Sequence, residues 1–515
     1  MNGHKTVVGK NLIEILMFSM YPDAKIIYRE YIQNARDAIN AAVKAGVLEQ
    51  FKDGHICVEI GDHRKIIQIS DNGIGISLVE VEPVLLNIAN STKDGDSSAG
   101  QFGIGRLVGA GYCKRLSFKT SYKGENKSTE IIFDVEKVRA ILDDKGDHRS
   151  ASEVIDVVTE KIIEEEDADK HYFIVTLYDV RPEYDELLDE DIIIDYLKEV
   201  APIDYKLPFK TNLLQKIQLP YDNYQNHVKH FKISVNDEAD IRKQYGLNID
   251  GTGDSIHSLQ CFKIEDDKFG LLAWGWYALT AFSKAIPTSD KNRGIRLRKH
   301  NIQIGNSDLL NQYFKEARGN NYFYGEIHAI HPKLKPESSR SGLAPTPEAL
   351  CLHKHLRNYF ETLVQLYHLA NDVKNAIKER NEVFTQIEKT QQPLEAVPEV
   401  KEKWEAAQKK LESVERSKNA QTEAAKKIME LFYKDIQKTI DIPPPINIVS
   451  DIVSTPPIVL QDKPADILEP LKEKFVGSDI ELIRRIFSIM TDKCPQKGKY
   501  LLEELKKAVV KDLGK

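Results

Sequence analysis

Apolar side chains recur at three- and four-residue intervals between residues 26 and 47, and Gly46 near the end of that run is a stop signal. The pattern predicts one long helix there. Two short strands are expected next, at 56–60 and 65–70, meeting at the turn pair Gly61-Asp62. Further β-rich runs lie at 116–120, 129–133 and 172–178. The acidic stretch 160–169 between two of them reads as a solvated loop or helix face. Residues 211–345 read as a second α/β unit, with strands near 231–235, 270–276, 295–304 and 324–330.

From Thr346 onward the pattern is helical almost throughout. Trp404, Ala407, Leu411, Val414, Lys418, Gln421, Ala425, Ile428 and Phe432 follow a 3-4 spacing, an imperfect heptad seam with Lys418 and Gln421 as polar interruptions. Such a seam either pairs two chains or packs one helix on its neighbour, and so few heptads do not decide between them. Residues 346–441 therefore read as a helical, coiled-coil-like region. A Pro-rich linker follows over 442–470 and a helical tail over 471–515. There are no internal repeats.

Length and charge narrow the class. At 515 residues the chain has room for three or four domains, and 41% hydrophobic with 29% charged residues describes a folded protein. The balance of 72 basic against 79 acidic side chains, −7 in all, argues against wholesale nucleic-acid binding but leaves a local basic strip open. Cys57, Cys113, Cys261, Cys351 and Cys494 form no CxxC, with no histidine at metal-ligand spacing, so they read as reduced thiols and not as a disulfide framework or zinc site. Asn11 and Glu14 interrupt the only candidate signal core, and no stretch approaches the roughly 20 apolar residues that span a bilayer. A soluble, cytoplasmic protein is expected, with no membrane partner.

Three segments carry candidate chemistry. In YREYIQNARDAI, Glu30, Asn34 and Asp37 fall on one helical face, with Ile27, Tyr31 and Ile39 opposite. A carboxylate one turn from an amide suits a water-activating base beside an Mg²⁺ ligand; an ordinary amphipathic surface helix has the same spacing. Asp71-Asn72-Gly73-Ile74-Gly75 follows a strand. Its carboxylate can accept from an exocyclic amine, and Gly73 and Gly75 let backbone approach a flat ring, although a plain strand-ending turn uses the same residues. Gly100-Gln101-Phe102-Gly103-Ile104-Gly105 leads into an expected helix from Arg106 and could cradle phosphate with successive N–H groups. It follows no strand of a βαβ unit and precedes no Gly-Lys-Ser/Thr, so it is neither a dinucleotide fingerprint nor a Walker loop.

An ExxxNxxDA helix, DxGxG about 40 residues later and GxxGxG about 30 further on resembles the gyrase/heat-shock-chaperone/histidine-kinase/MutL (GHKL) ATPases. IANSTK at 88–93 before GQFGIG is most similar to the lid and phosphate loop of the ninety-kilodalton heat-shock chaperone. The resemblance implies an α+β fold: a GHKL Bergerat-type ATP-binding sandwich over 1–210, a middle, transducer-like α/β domain over 211–345, and a helical C-terminal third. It implies ATP and Mg²⁺ as cofactors. Asp71 would bind the adenine amine, Asn34 would ligate Mg²⁺ and Glu30 would be the general base. Gly100, Gly103 and Gly105, within the run that also holds Gln101, Phe102 and Ile104, would hold phosphates. Asp37 matches the helix motif, and Lys93 either reaches a phosphate or is a solvated loop lysine. LKPESSRSGLAP at 334–345 is similar to the loop that sends a chaperone middle-domain arginine to the γ-phosphate, which makes Arg340 the candidate.

Two functions are weighed from this. One is a chaperone-like ATPase working as a homodimeric clamp on a client or partner protein, with residues 1–20 as an exchanged segment. The other is a DNA-linked ATPase similar to microrchidia or MutL proteins, in phage defence or genome maintenance, motivated by KNRGIRLRKH at 291–300 and by a helical C-terminal third that could dimerise. The alternative for that strip is a strand with Ile295 and Leu297 inward and Arg296 and Arg298 in solvent. A protein kinase ranks last, because no phosphoacceptor-histidine helix precedes the pocket.

Overall fold

The computed structural model of the chain describes residues 8–19, 23–61, 63, 65–87, 105–212, 228–390 and 397–433. The Pro-rich segment, the C-terminal tail and most of the glycine loop lie outside the described residues.

Seven strands form the N-terminal sheet: β1 (His55–Gly61), β2 (Ile66–Asp71), β3 (Arg115–Ser121), β4 (Lys127–Asp134), β5 (Thr159–Glu165), β6 (Tyr172–Tyr178) and β7 (Lys232–Val235). Their order is β5-β4-β3-β6-β2-β1-β7, antiparallel except for the parallel pair β1/β7. Helices α1 (Asn11–Glu14), α2 (Ile26–Lys44), α3 (Val81–Leu85), α4 (Val135–Asp143), α5 (Ala151–Val158) and α6 (Glu190–Val200) accompany it. Alternation sets the layers: Ile67, Ile69 and Asp71 of β2 turn inward, while Ile66, Gln68 and Ser70 are half-buried. Ile27 and Ile39 of α2, Ile56 and Val58, Leu116 and Phe118, and Leu197 of α6 share one core. Ser150 with Glu153 closes a capping box on α5, and Asp134 and Asp189 cap α4 and α6. Each such cap contributes about 1 kcal/mol.

Two elements differ from the sequence reading here. The acidic stretch is mostly the strand β5, because an outermost strand with a wet face tolerates Glu160, Lys161 and Glu164. The strand read as the first of the second unit, β7, instead extends the N-terminal sheet, with His55 opposite Lys232 and Val58 opposite Val235.

Beyond α7 (Leu207–Asn212), β8 (Asn248–Ile249) and β9 (Asp254–Ser255) make a small ladder. A five-stranded sheet follows: β10 (Ser258–Asp266), β11 (Gly270–Leu279), β12 (Gly294–Lys299), β13 (Ile302–Gln303) and β14 (Tyr324–Ala329), in the order β10-β11-β14-β12-β13. The 44-residue helix α8 (Pro347–Thr390) packs on it through Leu352, Leu356, Phe360 and Leu363. Helices α9 (Pro398–Glu415) and α10 (Glu423–Tyr433) pack back on α8. The heptad seam therefore resolves within one chain: Trp404, Ala407, Leu411, Ala425, Ile428 and Phe432 are buried, and a 3₁₀ turn at Lys418–Gln421 breaks the run where its polar interruptions fall. No helix among the described residues is long and apolar enough to cross a membrane.

Arg296 and Arg298 do not face solvent. Both are buried, because β12 lies between β14 and β13 and its outer face is covered by the end of α6. Arg296 Nη1 bonds Glu199 Oε1 at 2.5 Å, and Arg298 Nη2 donates to the Glu199 carbonyl at 2.7 Å. Arg298 Nε also stands 2.8 Å from Glu326 Oε1, and Lys243 Nζ reaches the same carboxylate at 2.9 Å. Tyr205 and Tyr245 donate hydroxyls to it, and His328 Nε2 lies 3.2 Å away. Arg298 and Lys243 hold Glu326 well below the ordinary carboxylate range against its burial, while burial and the neighbouring Arg298 bring Lys243 down to about 7. The basic strip is the ionic seam between the N-terminal domain and the second sheet.

Candidate nucleotide-binding site

Helix α2 supports the site. Its end is a Schellman motif, with Val47 N donating to Ala42 O at 2.8 Å, Gly46 N to Val43 O at 3.2 Å, and Gly46 at φ +71°. The helix is not an amphipathic surface helix: Arg29, Glu30, Gln33, Arg36 and Asp37 are buried along with Ile27, Tyr31 and Ile39. Burying that many polar groups on one helix is costly unless each serves a contact.

Glu30 has its contact. Arg340 donates Nε to Glu30 Oε1 at 2.9 Å and Nη2 to Oε2 at 3.4 Å, with both side chains under a tenth exposed. Arg340 sits at φ +61° in a turn fixed by Arg340 N to Glu337 O (3.0 Å) and Gly305 N to Arg340 O (2.8 Å). A non-glycine residue held in that conformation carries about 1–3 kcal/mol of strain, of the kind stored at functional sites. Asp37 pairs with Arg36 at 2.6 Å, and Asn34, one turn from Glu30, is half-buried.

The end of the glycine loop meets the same helix. A Cβ on Gly105 would stand 2.6 Å from Glu30 Oε2, so a side chain there would push against the carboxylate where glycine lets the backbone approach it. Tyr31 Oη donates to Arg106 O and accepts from Gly109 N, each at 2.9 Å, which ties the Gly105–Gly111 run to α2. That run is a 3₁₀ helix, not the α-helix expected, since its three glycines disfavour longer regular turns. Lys93, Gly100, Gln101, Phe102, Gly103 and Ile104 lie outside the described residues.

Asp71 ends β2, buried, and its Oδ1 accepts from Gly73 N at 2.8 Å. A Cβ on Gly73 would meet Ala38 of α2 at 2.6 Å, and one on Gly75 (φ +71°) would meet Ser121 O at 2.0 Å. Both glycines are required by close packing, and they seat the Asp71 loop on α2 and β3. Sequence reasoning missed the groups that complete this wall. Thr120 Oγ1 accepts from Ile76 N at 2.9 Å, and a His171 ring nitrogen lies 2.9 Å from Gly73 O. It also missed Arg106, whose Nη2 bonds Asn87 O at 2.5 Å while its Nε has no hydrogen-bond partner among the described residues. Burial lowers Arg106 to about 10, so it stays a cation at neutral pH. Its place directly after the glycine run was the available signal.

Residues 25–162 match the family described as histidine kinase-, DNA gyrase B- and HSP90-like ATPase. The N-terminal domain is a GHKL ATPase domain. Within the GHKL domain the matched span runs from the start of α2 through most of β5 and holds Glu30, Asn34, Asp37, Asp71 and the whole glycine loop. The chain is also similar to the chaperone protein HtpG of Streptomyces coelicolor, 28% identical over 142 residues, 24% of this chain and 22% of that one. HtpG of Legionella pneumophila strain Lens is 34% identical over 149 residues (26% and 24%), and that of Geobacter sulfurreducens 29% over 140 (24% and 22%). The chain thus matches less than a quarter of the length of these curated relatives.

The residues present fit a nucleotide. Gly73 and Gly105 keep two walls at backbone level where a side chain would protrude, and a buried carboxylate, Asp71, and a half-buried cation, Arg106, belong to the second and third segments of the motif.

Proposed function

We propose that this protein is a Mg²⁺-dependent ATPase whose hydrolysis step needs Glu30 and Arg340 together. The observation that carries the reading is the buried contact between a carboxylate of the GHKL helix and an arginine 310 residues further along the chain. Mg²⁺, when bound with ATP, would neutralise phosphate charge, and Asn34 offers it a hard oxygen. Asp71 would take the adenine amine. Glu30 would orient the attacking water and take its proton, and Arg340 would stabilise charge on the transferred group.

A guanidinium bonded to both Glu30 oxygens competes with water for that carboxylate. A phosphate arriving beside Gly105 competes for Arg340 and frees Glu30, so chemistry would follow seating of the arginine. Movement of the 334–345 loop would then be transmitted through the second sheet and the long helix α8. We read the chain on this basis as chaperone-like, a cytoplasmic dimer clamp acting on a client, in keeping with the HtpG relatives. In the single chain, Ile13 and Met17 of the N-terminal segment fill their own domain's core. The DNA-linked reading loses the support of Arg296 and Arg298, which are spent on Glu199 and Glu326.

The test is Arg340→Ala. ATP should still bind while turnover collapses, and light scattering with a non-hydrolysed analogue should report a dimer. Undiminished turnover, or a monomer with analogue bound, contradicts the respective half of the reading.

A further inference from the structure

Far from the nucleotide site, a carboxylate, a thiol and an imidazole converge. Asp266, Cys351 and His355 bring one ligand atom each to within 4.8 Å of one another. Cys351 and His355 are four residues apart in α8, one turn along the same face. Asp266 closes the edge strand β10 at its hairpin to β11. Its Oδ2 stands 3.1 Å from Cys351 Sγ and 3.1 Å from His355 Nε2. Its Oδ1 accepts Lys268 N at 2.9 Å and Phe269 N at 3.3 Å, which fixes the carboxylate plane and aims the other oxygen at the helix. The two elements are locked beside it: Phe262, four residues earlier on β10, stacks on Tyr359, one turn beyond His355, with ring centroids 4.2 Å apart.

We propose that Asp266, Cys351 and His355 form a binding site for a zinc-class divalent transition-metal ion. One sulfur, one nitrogen and one carboxylate oxygen are the donors that zinc and cobalt take together. Mg²⁺ and Ca²⁺ seek oxygen alone, so this site is chemically distinct from the Mg²⁺ position expected near Asn34. With bonds of about 2.0–2.3 Å, adjacent donors around a tetrahedral ion stand roughly 3.3–3.5 Å apart, so the two Asp266 contacts need widen by a few tenths of an ångström. The thiol and imidazole, within 4.8 Å, settle to the same spacing. The His355 and Asp266 side chains are 34% and 23% exposed, which leaves the fourth position to water. Coordination sends the Cys351 thiol proton to solvent and ties the sheet's edge strand to α8.

The spacing of Cys351 and His355 bears on the sequence reading of the cysteines. Cys351 does have a histidine at ligand spacing, but four residues form a chelate only once the segment is helical, and the third donor lies 85 residues upstream.

The test uses the full chain, free of nucleotide and Mg²⁺, titrated with Co²⁺ and followed by absorption. One Co²⁺ per chain should bind with sulfur-to-cobalt charge-transfer bands and tetrahedral d–d bands, Zn²⁺ should displace it, and Zn²⁺ should raise the unfolding temperature. Cys351→Ser should abolish the charge-transfer band, and His355→Gln and Asp266→Asn should each weaken binding at least about tenfold. Cys261→Ser should leave the spectrum unchanged. No charge-transfer band in the parent, or one that survives Cys351→Ser, overturns the proposal. The parent spectrum decides alone if a variant misfolds.

Discussion

Arg340 grips both oxygens of Glu30 with one guanidinium edge, Nε at 2.9 Å and Nη2 at 3.4 Å, where neither side chain is more than 8% exposed. The arginine belongs to a turn between the second sheet and α8, and the glutamate to the first long helix of the GHKL domain. In this arrangement the candidate base and the candidate charge stabiliser neutralise one another. A competing anion can separate them while the buried guanidinium stays paired.

Arg340→Ala is therefore expected to keep ATP affinity within a few-fold and to lower single-turnover hydrolysis by about 10³ or more, the range of arginine groups that meet a transferring phosphoryl. Arg340→Lys should not rescue it, because an ammonium is a point charge and cannot offer a transferring phosphoryl the two-pronged contact of a guanidinium. Faster hydrolysis in Arg340→Ala would assign the arginine as a brake alone.

Gly75→Ala should be destabilising. Its φ of +71° and a Cβ contact of 2.0 Å to the Ser121 carbonyl leave no room for a methyl group. Overpacking and left-handed strain together suggest about 3 kcal/mol. Chemical denaturation of the variant should show the N-terminal domain unfolding earlier, with nucleotide affinity falling in step.

Glu326→Gln removes the counter-charge of Lys243 and Arg298, both buried. A loss of about 3–5 kcal/mol is expected, as when one partner of a buried pair is deleted. Calorimetry should show the unfolding temperature drop. Little change would mean that water already screens the cluster.

The histidines at that junction give the chain a pH signature. Burial lowers His328 to about 4, with Lys243 and Arg298 adding to it and Glu326 opposing; burial also lowers His230 to about 4. The unfolded chain takes up these protons near its ordinary histidine pKa, before the folded chain does. Stability is therefore full above about 6.5 and is lost as pH falls toward about 4, by at most about 1.4 kcal/mol per pH unit for each histidine. His328→Phe keeps the stack on Trp274, whose ring lies 4.7 Å away, and should flatten that slope in unfolding temperature against pH. An unchanged slope would assign the acid loss to carboxylates.

The parts legible in the sequence were those whose cause is local. Helix α2 and β2 announce themselves by periodicity, and Asp71, Gly73 and Gly75 by turn chemistry. Arg296 and Arg298 could not be placed that way. Alternation assigns them to one face of β12 but cannot say that α6 covers it, nor that Glu326 waits on β14. The seam from Trp404 to Phe432 has the spacing of a two-chain coil, yet α8 supplies the partner surface within the chain. Thr120 and His171 carry no motif of their own and meet the Asp71 loop only through strand pairing, while Arg106 had only its place after the glycine run.

The central claim is that α2, the Asp71 loop and Arg340 make a hydrolysing ATP site. The most direct measurement is ATP binding and turnover with Mg²⁺ for the parent, Asp71→Asn and Glu30→Ala, under single- and multiple-turnover conditions. The expected result is that the parent binds and hydrolyses, Asp71→Asn loses binding, and Glu30→Ala binds but turns over at least about 10² more slowly. A parent that does not bind ATP, or a Glu30→Ala variant that hydrolyses it at the parent's rate, contradicts the claim.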